Sequence, residues 1–299
     1  MTRIKRYVPP ILLISPSLVL VGIFVYYLIF GSVQLSTTDT HSFPQFAGTV
    51  PHENVGIDNF VELLRSKDFQ HSLKNLLLYT AIFITGTMFF GFLWAWLLDR
   101  RSRAEGVFRS LYLFPMAVSS VAAGVVWRWL LNANQGKDAS GLNRLFQATG
   151  LGFLENGWTT SVSFGIAAIA MPAIWQMSGY VMALFLAGFR GIPGELREAA
   201  RMDGAKEWQI YRHVLFPQLS PVALSALIIL GHMSLKVFDL IVSVTDYRFY
   251  PTKAPAVDMA NYMNTGDYAN AAAVGVILLL VILVLIVPYL IHTAREDRK

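Results

Sequence analysis

The chain has 299 residues, 55% of them hydrophobic and only 14% charged, and its mean hydropathy is +0.49. Soluble domains carry about 25% charged residues, so an ordinary water-soluble domain is excluded, and intrinsic disorder more firmly still. No cysteine is present, which removes disulfides, thiolate metal sites and cysteine nucleophiles, and the net charge of +5 must be read against topology before it implies an acidic partner.

A membrane-spanning helix needs about 20 mostly apolar residues. Six stretches qualify in chain order: 9–33, 75–98, 107–131, 160–189, 219–244 and 268–291. The first follows Arg3, Lys5 and Arg6, as a signal peptide would. Its apolar run is roughly twice the usual signal core, and no small-residue cleavage site closes it, so it reads as a retained helix. Between the first two spans, Ile57 to Leu64 is amphipathic and suits a membrane surface. Trp94 and Trp96, near the end of the second span, read as interface anchors. Arg128, about one turn from the end of the third, reads as snorkelling outward.

Orientation follows from Lys and Arg in the loops. The N-terminus, 99–109, 190–218 and the tail together hold 15, against seven in 34–74, 132–159 and 246–267. Acidic residues divide eight to ten the other way. Both termini are therefore expected in the cytoplasm. The fold class expected is all-α and integral to the membrane, a single domain over 1–299 with six spans. No internal repeat stands out.

The segment 190–218 carries a pattern of its own. Gly191, Pro193 and Gly194 end the fourth span, and Glu195 to Met202 contains helix formers with acids early, where the helix dipole favours them. Asp203-Gly204 is a turn signal. Ala205 to Val214 can form a second short helix, with Trp208, Tyr211 and Leu215 giving it an apolar side, and Pro217 closes it. Ala199 and Ala200 lack bulk, so a partner surface could approach the backbone closely.

Glu198-Ala199-Ala200, Asp203-Gly204-Ala205, Pro217 and Leu219 together resemble the EAA loop of binding-protein-dependent ABC importers. Other stretches are similar to the sugar-permease subfamily, of the maltose and glycerol-phosphate type. They are Leu12-Leu13-Ile14-Ser15-Pro16, Gly56-Ile57-Asp58-Asn59-Phe60, and Phe238-Asp239-Leu240-Ile241 followed by Thr245. One departure stands out: Asp246 to Pro251 replaces the Gly-Gly-Pro turn of many members, and glucose/mannose-type permeases also vary there.

The resemblance implies a type I ABC importer permease in a prokaryotic cytoplasmic (inner) membrane. It implies as partners a second related permease, two ATPase subunits, an extracytoplasmic sugar-binding protein, the lipid bilayer and a sugar, with no nucleic acid. No cofactor is expected, because ATP would be bound and hydrolysed by the partner subunits. In agreement, the chain has no Gly-x4-Gly-Lys-Ser/Thr loop, and Gly136-Lys137 is followed by Asp138. The coupling residues implied are Glu198 as the polar contact, Ala199 and Ala200 as the close-packing surface, and Asp203-Gly204 as the turn.

Polar groups deep in a span are costly unless they face the protein interior. Span four offers Trp175, Gln176, Ser178 and Tyr180, and span five offers His232, Ser234, Lys236 and Asp239. The resemblance implies that the substrate pathway is lined first by Tyr180 and Ser234, with Gln176, Met177, Met233 and Trp175 nearby. Lys236 and Asp239, three apart, read as a structural intramembrane pair. His232 reads as a packed interhelical donor. The six histidines are scattered, so no metal site is proposed, and no nucleophile–base arrangement is evident. The competing readings are a permease for another small solute and a six-span secondary carrier.

Overall fold

A computed structural model describes residues 13–99 and 105–296; residues 9–12 of the first expected span and 100–104 of the basic loop lie outside it. Among the described residues the chain is helical and contains no strand beyond one isolated bridge, Thr38 to Asn54. It divides into two compact units: residues up to 69 with 258–281, and residues 70–257 with those from 282 on.

In the first unit, α1 (Leu13–Ser36) is long and apolar enough to span a membrane, and its apolar window is 0% buried. Such a helix is stable only with lipid or another chain around it. Beyond it, Asn59 opens the short helix α2 (Asp58–Arg65) and is buried. Its Nδ2 donates to the carbonyls of Ser36 at 2.9 Å and Thr38 at 2.7 Å. The Asn of Gly56-x-x-Asn59-Phe60 thus ties off carbonyls where α1 ends and its backbone leaves the helix. His41 and Asp267 pair at 2.7 Å, and Phe46 stacks on Tyr268 at 4.3 Å.

The second unit is built around α7 (Gly165–Gly191), whose apolar window is 61% buried. Small residues let its neighbours approach. A Cβ on Gly179 would lie 1.8 Å from the carbonyl oxygen of Tyr112 in α4 (Glu105–Ala117). Gly91 of α3 (Lys67–Asp99) meets Val181 in the same way. Without a hydrophobic drive between helices in lipid, such close contact supplies the packing energy.

The third expected span is not one helix. It is α4 followed by α5 (Ser120–Leu130), bent by 95°. Pro115 lies inside α4 and Ser119 is extended, which frees carbonyls between the halves. Gln176 of α7 donates to one of them, Val118, at 2.9 Å. In lipid a freed carbonyl has to find such a partner. The fifth expected span is also broken: residues 236–238 separate α10 (Ser220–Leu235) from α11 (Asp239–Val244). At its start a 61° bend sets α10 off from α9 (Glu207–Gln218).

Arg128 corrects the snorkelling expectation. Its Nε donates to Val244 at 3.0 Å, and its Nη2 to Val242 at 3.3 Å and Thr245 at 3.2 Å, all backbone carbonyls. It caps the C-terminus of α11, where a cation meets the negative end of the helix dipole. Among the described residues three helices are long and apolar enough to cross a membrane, or up to five if each bent pair counts as one. Beyond α12 (Pro255–Thr265), α13 (Tyr268–Glu296) covers the sixth expected stretch.

Candidate functional site

A cavity of about 660 Å³ opens inside the second unit. Its walls come from α3, both halves of the bent pair, α7 and the broken end of α10. Met116 and Ser120 line it from either side of the 95° bend. The bend therefore makes room where two straight helices would close on each other.

Of the residues expected on the substrate pathway, Gln176, Met177, Tyr180 and Met233 line this cavity. Ser234 does not. It is fully buried, its hydroxyl donates to the Gly231 carbonyl at 2.8 Å and it accepts from Thr80 at 3.0 Å. The neighbouring Met233 takes the open face instead. Trp175 also lies away from the cavity, against Trp127 with ring centres 6.3 Å apart. Ser178 is buried and does not line the cavity.

Lys236 and Asp239 do not share a helical face. Lys236 follows the last residue of α10 and Asp239 begins α11. Both are exposed into the same cavity, and among the described residues no ion pair joins them. His232 lines it one turn earlier, and its Nδ1 is buried without a hydrogen-bond partner. The cavity thus offers a phenol, an amide, an imidazole, an ammonium and a carboxylate beside the apolar Phe83, Met177, Met233 and Phe238. That mixture can hydrogen-bond a polyol and cover its apolar ring faces. The sequence placed Lys236 and Asp239 on a continuous helix and so missed their shared exposure; nothing short of the break at 236–238 could reveal it.

The segment 190–218 folds as expected, into a helix, a tight turn and a second helix. The first, α8, spans Gly194–Met202. It ends in a Schellman arrangement: the N–H of Ala205 donates to Ala200 at 3.0 Å and that of Gly204 to Arg201 at 3.0 Å. Gly204 has φ of +78°, a conformation that costs any other residue. Glu198, Ala199, Met202, Asp203 and Gly204 are exposed, and Ala200 is half-buried. Met202, at 89%, is among the most open apolar residues of the chain. The second helix runs on past Val214 to Gln218, through a π-type turn at Tyr211–Leu215 that ends two residues before Pro217.

The opposite side of α8 is held by charge. Arg197 grips Asp99, the last residue of α3, with Nη1 to Oδ2 at 2.9 Å and Nη2 to Oδ1 at 3.3 Å. It also donates to the Phe189 carbonyl at 3.2 Å, and the Tyr211 hydroxyl donates to Asp99 at 2.7 Å. Partial burial pulls the Arg197 guanidinium down, but its hydrogen bond to Asp99 and that carboxylate's charge outweigh burial and hold it above its usual value. Arg201–Glu207 and Arg190–Glu105 add further pairs. The sequence counted these charges as topology and did not pair them. Trp96 packs edge-on against Tyr211, and Trp94 stacks on Tyr112 at 4.6 Å.

The chain is 39% identical, over 97% of both chains, to a probable ABC transporter permease of Pyrococcus horikoshii. It is 31% identical to the xylose/arabinose import permease of Haloferax volcanii, over 83% of this chain and 78% of that one. It is 27% identical to a trehalose/maltose transport system permease of Thermococcus litoralis, over 93% and 91%. Among solved structures, it aligns with a chain of the bacterial alginate ABC transporter in complex with an alginate-pentasaccharide-bound periplasmic protein. The TM-score is 0.78 at 22% identity, covering 100% of this chain and 98% of that one, which establishes a shared permease fold. The model of the binding-protein-dependent transport system inner membrane component matches residues 87–298, which takes in the cavity-lining residues from Met116 on and the whole 190–218 segment. The chain therefore belongs to that family, and it is a membrane-embedded permease subunit of an ABC importer, without an ATPase of its own.

Proposed function

We propose that this chain passes a sugar across a prokaryotic cytoplasmic membrane, as half of a pathway it shares with a second related permease. Two separate ATPase subunits supply the energy, and an extracytoplasmic sugar-binding protein delivers the substrate. The named relatives that carry xylose, arabinose, trehalose or maltose support the sugar class. The chain crosses the membrane six times with both termini inside, as the loop charges require. The bent pair α4–α5 then belongs to the third crossing, and α10 with α11 to the fifth.

The observation that carries the proposal is the pairing of an open cavity that carries polar groups with an exposed EAA helix, joined in chain through α7. α7 lines the cavity and runs directly into α8. Glu198, Ala199 and Gly204 present a charged, low-bulk surface that stays exposed among the described residues. A cleft on an ATPase subunit would seat that helix, and nucleotide-driven closure would move the cavity walls as rigid bodies. Tyr180, Gln176, Met177 and Met233 would meet the sugar in transit.

The test is uptake by the assembled importer in liposomes, with and without ATP and the copurifying binding protein. Uptake is expected to require both. Transport by the purified chain alone would reject the importer reading, and an amino acid or metal ion retained by the binding protein would reject the sugar.

A further inference from the structure

Chain connectivity delivers motion of the coupling segment to only two helices. α7 enters α8 through Ile192 and Pro193, and α9 leaves into α10. α3 has no such connection, yet it lines the cavity with Tyr79 and Phe83. Motion of the segment reaches α3 through contacts between helices.

One contact has the geometry to carry it. Asp99 ends α3, and its side chain is only 6% exposed. It takes both prongs of the Arg197 fork from α8 and the hydroxyl of Tyr211 from α9. A two-pronged guanidinium–carboxylate contact fixes direction as well as distance. Arg197 is locked in turn to the Phe189 carbonyl, and its guanidinium lies 5.9 Å from the centre of the Tyr211 ring. Both helices of the coupling segment thus converge on one carboxylate. From that carboxylate α3 runs without a break to Phe83, sixteen residues earlier, a stiff rod of roughly 24 Å. Phe92 packs between Phe185, Phe189 and Phe216, keeping the rod in register with α7 and α9.

We propose that Asp99 is the joint through which the coupling segment drives α3, so that nucleotide-dependent motion reaches the cavity wall at Tyr79 and Phe83. Asp99 acts as a positioning residue, through Arg197 and Tyr211. The proposal rests on the coupling role given above to the EAA helix.

The experiment uses the assembled importer, with the copurifying binding protein and its retained sugar as the probe. ATP hydrolysis is measured with and without that protein. Asp99→Asn keeps the size of the side chain and an acceptor for Tyr211 but removes the charge pairing with Arg197. It is expected to retain basal hydrolysis and lose the stimulation by loaded binding protein. The exchange of both residues, Asp99→Arg with Arg197→Asp, is expected to restore part of that stimulation. Tyr211→Phe deletes one hydroxyl and is expected to lose stimulation partially; it serves where Asp99→Asn fails to assemble. Full stimulation in Asp99→Asn, or in Tyr211→Phe where that variant stands in, would overturn the joint. So would basal and stimulated rates falling in equal proportion, which is what loss of a merely structural contact produces. Glu198→Lys separates the two layers. If it too keeps full stimulation, the coupling reading itself fails; if it loses stimulation while Asp99→Asn keeps it, only the joint does.

Discussion

The 190–218 segment and the cavity are joined through α7 and α10 and treat charge in opposite ways. In the segment Arg190, Arg197 and Arg201 are all paired, and Asp99 serves two donors at once. At the cavity Lys236 and Asp239 stand three residues apart and remain unpaired with each other. Paired charges with short, two-pronged contacts make a rigid body that transmits force. Exposed intramembrane charges are tolerated only where water, a substrate or another chain meets them. The loop is thus built to keep its shape, and the cavity to exchange partners.

The largest expected effect comes from breaking the loop's exposed face. Glu198→Lys reverses an exposed charge that makes no hydrogen bond or ion pair among the described residues, so the chain should still reach the membrane while transport is abolished. Membrane content and uptake, measured on the same cells, decide it, and normal uptake would sink the assignment. Next comes the cavity wall. Tyr180→Ala removes a ring and a hydroxyl from the proposed path, and uptake is expected to fall about tenfold, equivalent to roughly 1.4 kcal/mol of lost stabilisation in transit. An unchanged initial rate would move the path elsewhere.

Packing behind that wall gives a third test. Gly179→Ala places a methyl group against the Tyr112 backbone, which cannot yield as a side-chain tip could. Overpacking of this kind costs about 1–3 kcal/mol. Thermal unfolding of the detergent-solubilised importer should show a lower midpoint, and an unshifted one would show that α4 and α7 can separate cheaply. The smallest effect sharpens the comparison most. Ser234→Ala removes a hydroxyl that faces Thr80 and the helix backbone, not the cavity. Uptake should stay near that of the unaltered chain, with a stability loss of about 0.6 kcal/mol, the usual scale of one interhelical hydrogen bond in a membrane. A transport defect as large as that of Tyr180→Ala would return Ser234 to the pathway.

Hydrophobic run length made the helical, membrane-embedded class legible in the sequence, because the bilayer thickness fixes how long an apolar helix has to be. The EAA helix and its turn were equally legible. Glu198-Ala199-Ala200 and Asp203-Gly204 are local signals, and Gly204 at φ +78° adopts the conformation that such a turn requires. What failed was continuity. The apolar run 107–131 reads as one helix, yet it bends by 95° at a freed carbonyl that Gln176 satisfies from another helix. No window along the chain contains that partner.

The same reason separates Ser234 from Met233 and Arg128 from its expected snorkel. Which face of a helix meets a cavity depends on its neighbours, and whether an arginine finds carbonyls depends on where another helix ends. The sequence by itself determined a greasy, helical, importer-type permease with a helix–turn–helix at 190–218, since those properties follow from composition and from contiguous residues. Only the tertiary structure decided where the helices break, which polar groups share the cavity, and that Asp99 gathers Arg197 and Tyr211. Each of those facts joins residues about 60 to 120 positions apart or depends on such a contact, and a hydrogen bond across that separation leaves no local pattern to read.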